Sequence, residues 1–128
     1  MPPALHVFEY AVLRVVPRVE RAEFLNVGVV LLCRGLGALH VRFHLPETRL
    51  QAVFGDLDLP DLAARLRAFE HICQGRAQGG PIGQLALAER FRWLTATRST
   101  VVQTSPVHPG LCADAGATLA RLLAQLVQ

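Results

Sequence analysis

The chain opens on a strand-like pattern. Residues 7–16 are rich in β-branched and aromatic side chains, with Phe8, Tyr10 and Val12 alternating on one face. Pro17 ends the run, because proline cannot donate to a central ladder. A polar connection, Arg18-Val19-Glu20-Arg21-Ala22-Glu23, follows. Residues 26–33 are then almost continuous valine and leucine, the pattern of a strand buried on both faces. Arg34-Gly35-Leu36-Gly37 suits a hairpin into residues 38–44. In that third segment Leu39, Val41 and Phe43 share one face, and His40, Arg42 and His44 share the other. The first half therefore predicts a three-stranded antiparallel meander.

The period changes in the second half. Leu59, Leu62, Leu66, Phe69, Ile72 and Cys73 follow helical spacing. Pro60 and Asp61 suit the first helical turn, and Gly75 is a natural stop. Gln78-Gly79-Gly80-Pro81 reads as a loop. Residues 84–94 predict a short helix with Leu87, Phe91 and Leu94 inward. Residues 99–104 predict a fourth strand through Val101 and Val102. Asp114 can cap a last helix, lined by Leu119, Leu122, Leu123 and Leu126. The expected fold is α+β: a small antiparallel sheet of about four strands with helices packed on one face, residues 1–128 forming a single domain.

Composition supports a packed core, with 52% hydrophobic and 18% charged residues. No apolar run reaches the roughly 18–20 residues of a membrane span. Met1-Pro2-Pro3 lacks the charged and apolar regions of a secretory signal, so a cytoplasmic protein is expected. Cys33, Cys73 and Cys112 are far apart and form no CxxC pair, which fits buried free thiols in a reducing compartment.

Net charge is +3, and all 13 basic residues are arginine. The absence of lysine excludes a standard P-loop. Residues 76–104 hold four arginines against one glutamate, a mild basic stretch.

No catalytic set, metal centre or cofactor motif emerges. His40 and His44 lie four apart on one strand, about 13 Å along it, too far for one zinc. There is no GxSxG elbow. Ser105-Pro106-Val107-His108-Pro109 is rigidified by two prolines and can hold either a functional histidine or a structural turn. Two polar segments interrupt the apolar chain. One is residues 18–26, with Arg18, Glu20, Arg21, Glu23 and Asn26; the other runs from Phe91 through Arg92, Trp93, Arg98 and Ser99. Interleaved aromatic and arginine side chains can stack a base or hold a phosphate. Arg14, mid-strand between Leu13 and Val15, needs a partner that Glu20 or Glu23 can supply.

Tyr10-Ala-Val-Leu-Arg-Val-Val-Pro17, the following block to Gly28, Phe91-Arg-Trp-Leu-Thr through Arg98-Ser-Thr, and Ser105-Pro-Val-His108 together resemble the bacterial family called domain of unknown function 3037. The resemblance covers nearly the whole chain. It implies a small cytosolic protein and brings no assigned catalytic residues. It also implies, as a partner, a kinase similar to the HipA toxin-kinase family. The leading expectation is a non-enzymatic binding or partner module using Arg18, Glu20, Arg21, Glu23 and Asn26, or Arg92, Trp93, Arg98 and Ser99. The alternatives are nucleic-acid or nucleotide binding through residues 76–104, and an enzyme acting through His108 with a nearby serine or cysteine.

Overall fold

The protein is described from a computed structural model over residues 3–128; Met1 and Pro2, part of the signal-sequence reading, lie outside the described residues. Five strands form one antiparallel sheet: β1 (His6–Val15), β2 (Leu25–Cys33), β3 (Ala38–Phe43), β4 (Val102–Thr104) and β5 (His108–Cys112). The order is β3-β2-β1-β4, and β5 also pairs with β1. The meander of the first half is therefore present. It turns at Arg34–Leu36, with Gly37 in the left-handed region at φ 62°.

The fourth position of the sheet is a single edge strand broken in two. Leu13 opposes Thr104, whereas Tyr10 opposes His108, so the register slips by one residue across Ser105 and Pro106. This is a bulge opposite Val12. Ser105 repairs the ladder there: its backbone N–H donates to the Val12 carbonyl at 2.8 Å, and its hydroxyl oxygen accepts the Val12 N–H at 2.8 Å. The hydroxyl donates in turn to the Pro106 carbonyl at 2.8 Å. Ser105 is thus a structural residue.

The segment Ser105–Pro109, expected as a rigid loop or turn, runs into strand β5 at His108. Proline and glycine usually argue against a strand, but both fit here for local reasons. Pro109 lies on the sheet edge, where its missing N–H costs no ladder bond. Gly110 faces Phe8, whose ring lies 2.5 Å from where a Cβ would stand.

Four α-helices complete the fold: α1 (Glu47–Phe54), α2 (Leu59–Gln74), α3 (Leu87–Leu94) and α4 (Ala115–Leu126). Helix α2 begins where Asp58 accepts from the Asp61 N–H and ends at Gly75, φ 68°. Helix α4 begins at Asp114, whose carboxylate accepts from the Ala117 N–H at 3.0 Å. Helix α1 was not expected; it buries only Leu50 and shows no extended apolar stripe.

The fold class is α+β, as the pattern implies. The helices occupy both faces of the sheet, which corrects the one-face placement. Ala11, Leu13, Val15, Val30 and Leu32 face α1, α2 and α3. Phe8, Val29, Leu31 and Cys33 face α4 with Leu119, Leu122 and Leu123. The unbroken apolar run of β2 requires this, because a strand with helices on only one face would alternate. Among the described residues, no helix is long and apolar enough to cross a membrane.

Candidate functional site

At one end of the sheet, β1 runs out and β2 begins. The connection between them makes a 3-10 turn at Val19–Arg21 and closes on Ala22, which holds φ 56° and ψ 16°. Ala22 is the one non-glycine residue with positive φ among the described residues. A left-handed conformation costs an L-residue about 1–2 kcal/mol. This loop carries Arg18, Arg21 and Glu23 to a cleft of about 290 Å³, walled by Pro17 just after β1 and by Val53 and Phe54 from α1. Glu23 pairs with Arg21 through its Nε. Arg18 is exposed and has no ion partner among the described residues.

The remaining residues of this segment do other work. Glu20 is exposed on the 3-10 turn and lies outside the cleft lining. Asn26 donates from Nδ2 to the Leu126 carbonyl at 3.1 Å, tying down the end of α4, while its Oδ1 is buried without a partner. Among the described residues, no carboxylate forms the ion pair expected for Arg14. Its guanidinium stacks on Phe24 at 4.0 Å from the ring centre, because Glu23 is engaged by Arg21. The Arg14 Nε is buried and unpaired, directly across from Asn26 in the ladder.

The second expected segment forms a separate place. Arg98 stacks on Trp93 at 4.6 Å and bonds the Trp93 carbonyl. Burial lowers the Arg98 guanidinium from its ordinary pKa. Both side chains border a mainly apolar hollow of about 210 Å³ with Phe69, Ile72 and Val102. Arg92 and Ser99 are exposed, and neither lines it. Of the four arginines at 76–104, Arg90 is also consumed internally. It donates to the Ile72 and Cys73 carbonyls at 2.8 Å each and to Leu85 at 2.9 Å, pinning α3 to the end of α2.

His108 stands exposed on β5, its ring 5.4 Å from that of Tyr10. The nearby Ser105 hydroxyl is committed to the backbone, and Cys112 lies four residues away on the same strand, roughly 13 Å along it. Burial pushes the Cys73 thiol up to about 12, opposed by Arg90 and reinforced by Glu70. The Cys112 thiol is raised as well, first by burial and then by its contact with Cys33. Neither thiol is poised as a thiolate nucleophile. No group of three or more potential metal ligands clusters among the described residues.

The family model described as "Protein of unknown function (DUF3037)" matches residues 10–127. The chain belongs to this family. No curated protein and no solved structure matches it. The matched span of the DUF3037 chain takes in the arginine cleft, the Trp93–Arg98 stack and both edge strands.

Proposed function

We propose that this DUF3037 protein is a non-catalytic binding module. Its arginine-lined cleft receives an anionic group, a carboxylate or phosphate, borne on an apolar body. The observation that carries this reading is the pairing of an uncompensated Arg18 with Arg21 in a cleft whose other walls are Pro17, Val53 and Phe54. Arginine's planar fork suits bidentate oxyanion contacts, and the apolar walls add the area that a bare ion does not use. Glu23 orients Arg21 and would repel an anion placed wrongly. The nucleic-acid reading has less support, since internal bonds leave only Arg76 and Arg92 of its basic stretch for phosphates.

The test titrates labelled protein with N-acetyl-glutamate and with inorganic phosphate, following arginine Nε–H and backbone resonances. Saturable shifts at Arg18 and Arg21, lost in Arg18→Ala, support the reading. Shifts that are absent, or unchanged by that substitution, remove it. A purified HipA-like kinase, the partner implied by the resemblance, is the first protein to titrate in the same way.

A further inference from the structure

The two edges of the sheet are unequally protected. In an antiparallel ladder, successive residues direct their backbone groups alternately to the two sides of the strand. The His44 N–H donates to the Val27 carbonyl at 2.7 Å, and Val27 and His44 oppose each other in the register that pairs Gly28 with Phe43. Arg42 and His40 therefore also bond to β2, and the N–H and C=O groups of Leu39, Val41 and Phe43 point to the open side of β3. The other side of the sheet agrees in phase: Val12 bonds outward to Ser105, away from β2. At the β4–β5 edge, Pro109 occupies an outward-bonding position and offers no N–H, and Pro106 sits in the bulge. Those prolines blunt that edge. No proline lies within β3.

Beside the open edge of β3 is a groove of about 400 Å³, lined by Leu39, His40 and Val41 of the strand, Glu70 and Cys73 of α2, and Leu87 and Arg90 of α3, among others. On the opposite face of the same strand, His40, Arg42 and His44 form an exposed row at two-residue spacing, and none of them joins an ion pair among the described residues. An added strand has that same spacing, about 6.6–6.8 Å between alternate side chains.

We propose that the β3 edge is a second docking site, distinct from the arginine cleft, which takes an extended segment of a partner protein by strand addition. The segment alternates acidic and apolar residues. Its carboxylates face His40, Arg42 and His44, and its apolar side chains enter the groove beside Leu39, Val41 and Leu87. A second copy of this chain is the poorer occupant, because β3 paired with β3 sets the Arg42 rows of two copies against each other.

The test uses a fluorescein-labelled heptapeptide of alternating glutamate and valine. Its controls are the same peptide with lysine for glutamate and one N-methylated on the backbone groups facing the protein. Expected results are saturable binding of the glutamate peptide, slowed exchange of the Leu39, Val41 and Phe43 amides, and no binding of either control. Val41→Pro removes one outward donor without cutting a bond to β2 and should abolish binding. Because that variant can disturb packing, Arg42→Glu is the companion; this exposed change should weaken the glutamate peptide roughly five- to tenfold and admit the lysine peptide. Equal binding of the N-methylated peptide would overturn the proposal. So would binding that leaves the three amides unprotected, or protection of those amides by self-association without peptide. Arg18→Ala should leave this binding intact, so failure here and failure of the cleft are separable.

Discussion

Replacing Ser105 by alanine isolates the bulge repair. Ser105 is 4% exposed, and its hydroxyl oxygen is the acceptor for the Val12 N–H in the middle of β1. Alanine leaves that N–H facing a methyl group. A buried donor left without its acceptor costs about 1–3 kcal/mol. The Pro106 carbonyl also loses its donor, but Pro106 is exposed and water can replace it. The net expectation is about 2 kcal/mol. For a chain of this size that corresponds to a fall in Tm of roughly 6–8 °C, or a urea midpoint lower by about 1 M at unchanged slope. Exchange of the Val12 amide should accelerate together with the loss of stability. Ser99→Ala is the control, since Ser99 is exposed, and it should change stability by less than about 0.5 kcal/mol. If Ser105→Ala were equally silent and the Val12 amide stayed protected, the ladder-repair account would be wrong.

Three other outcomes follow from the geometry. Ala22→Gly should stabilise by about 0.5–1 kcal/mol, measured by urea unfolding, because glycine relieves the left-handed strain at a modest entropic cost. Gly110→Ala should destabilise by about 1–3 kcal/mol through collision with the Phe8 ring, and pairing it with Phe8→Leu should recover part of the loss in a double-mutant cycle. Above pH 9, where the unfolded Cys73 thiol ionises while the folded one holds its proton to about 12, stability should fall with rising pH by up to about 1.4 kcal/mol per unit from this group. A Cys73→Ala variant should flatten that alkaline decline in pH-dependent unfolding.

The sequence carries its own correction on the helix layers. The meander, α2 and α4 were legible because each has a strong period with punctuation at its ends: Pro60 and Gly75 around α2, Asp114 before α4. The same apolar run that marked β2 as buried on both faces already implied helices on both sides of the sheet. Strand β5 was hidden by Pro109 and Gly110, whose tolerance depends on an edge position and on the Phe8 ring, neither visible locally. The cleft was half legible. Arg18, Arg21 and Glu23 are neighbours in sequence, but Val53 and Phe54 come from α1, a short helix with one buried residue. Arg14 found an aromatic face where a carboxylate was expected, because pairing between Arg21 and Glu23 is decided by loop geometry.

The central strand has an awkward birth order. β1 sits in the middle of the sheet, yet Ser105, which closes its second side at Val12, lies 93 residues further along. During synthesis at about 5–20 residues per second, the early hairpin waits several seconds with one flank of β1 bare. Pairings of such separation also slow folding, since a long loop must close before they contribute. Nascent chains stalled before β4 should therefore be the aggregation-prone species, and a chaperone that shields one strand flank would act on them rather than on the finished protein.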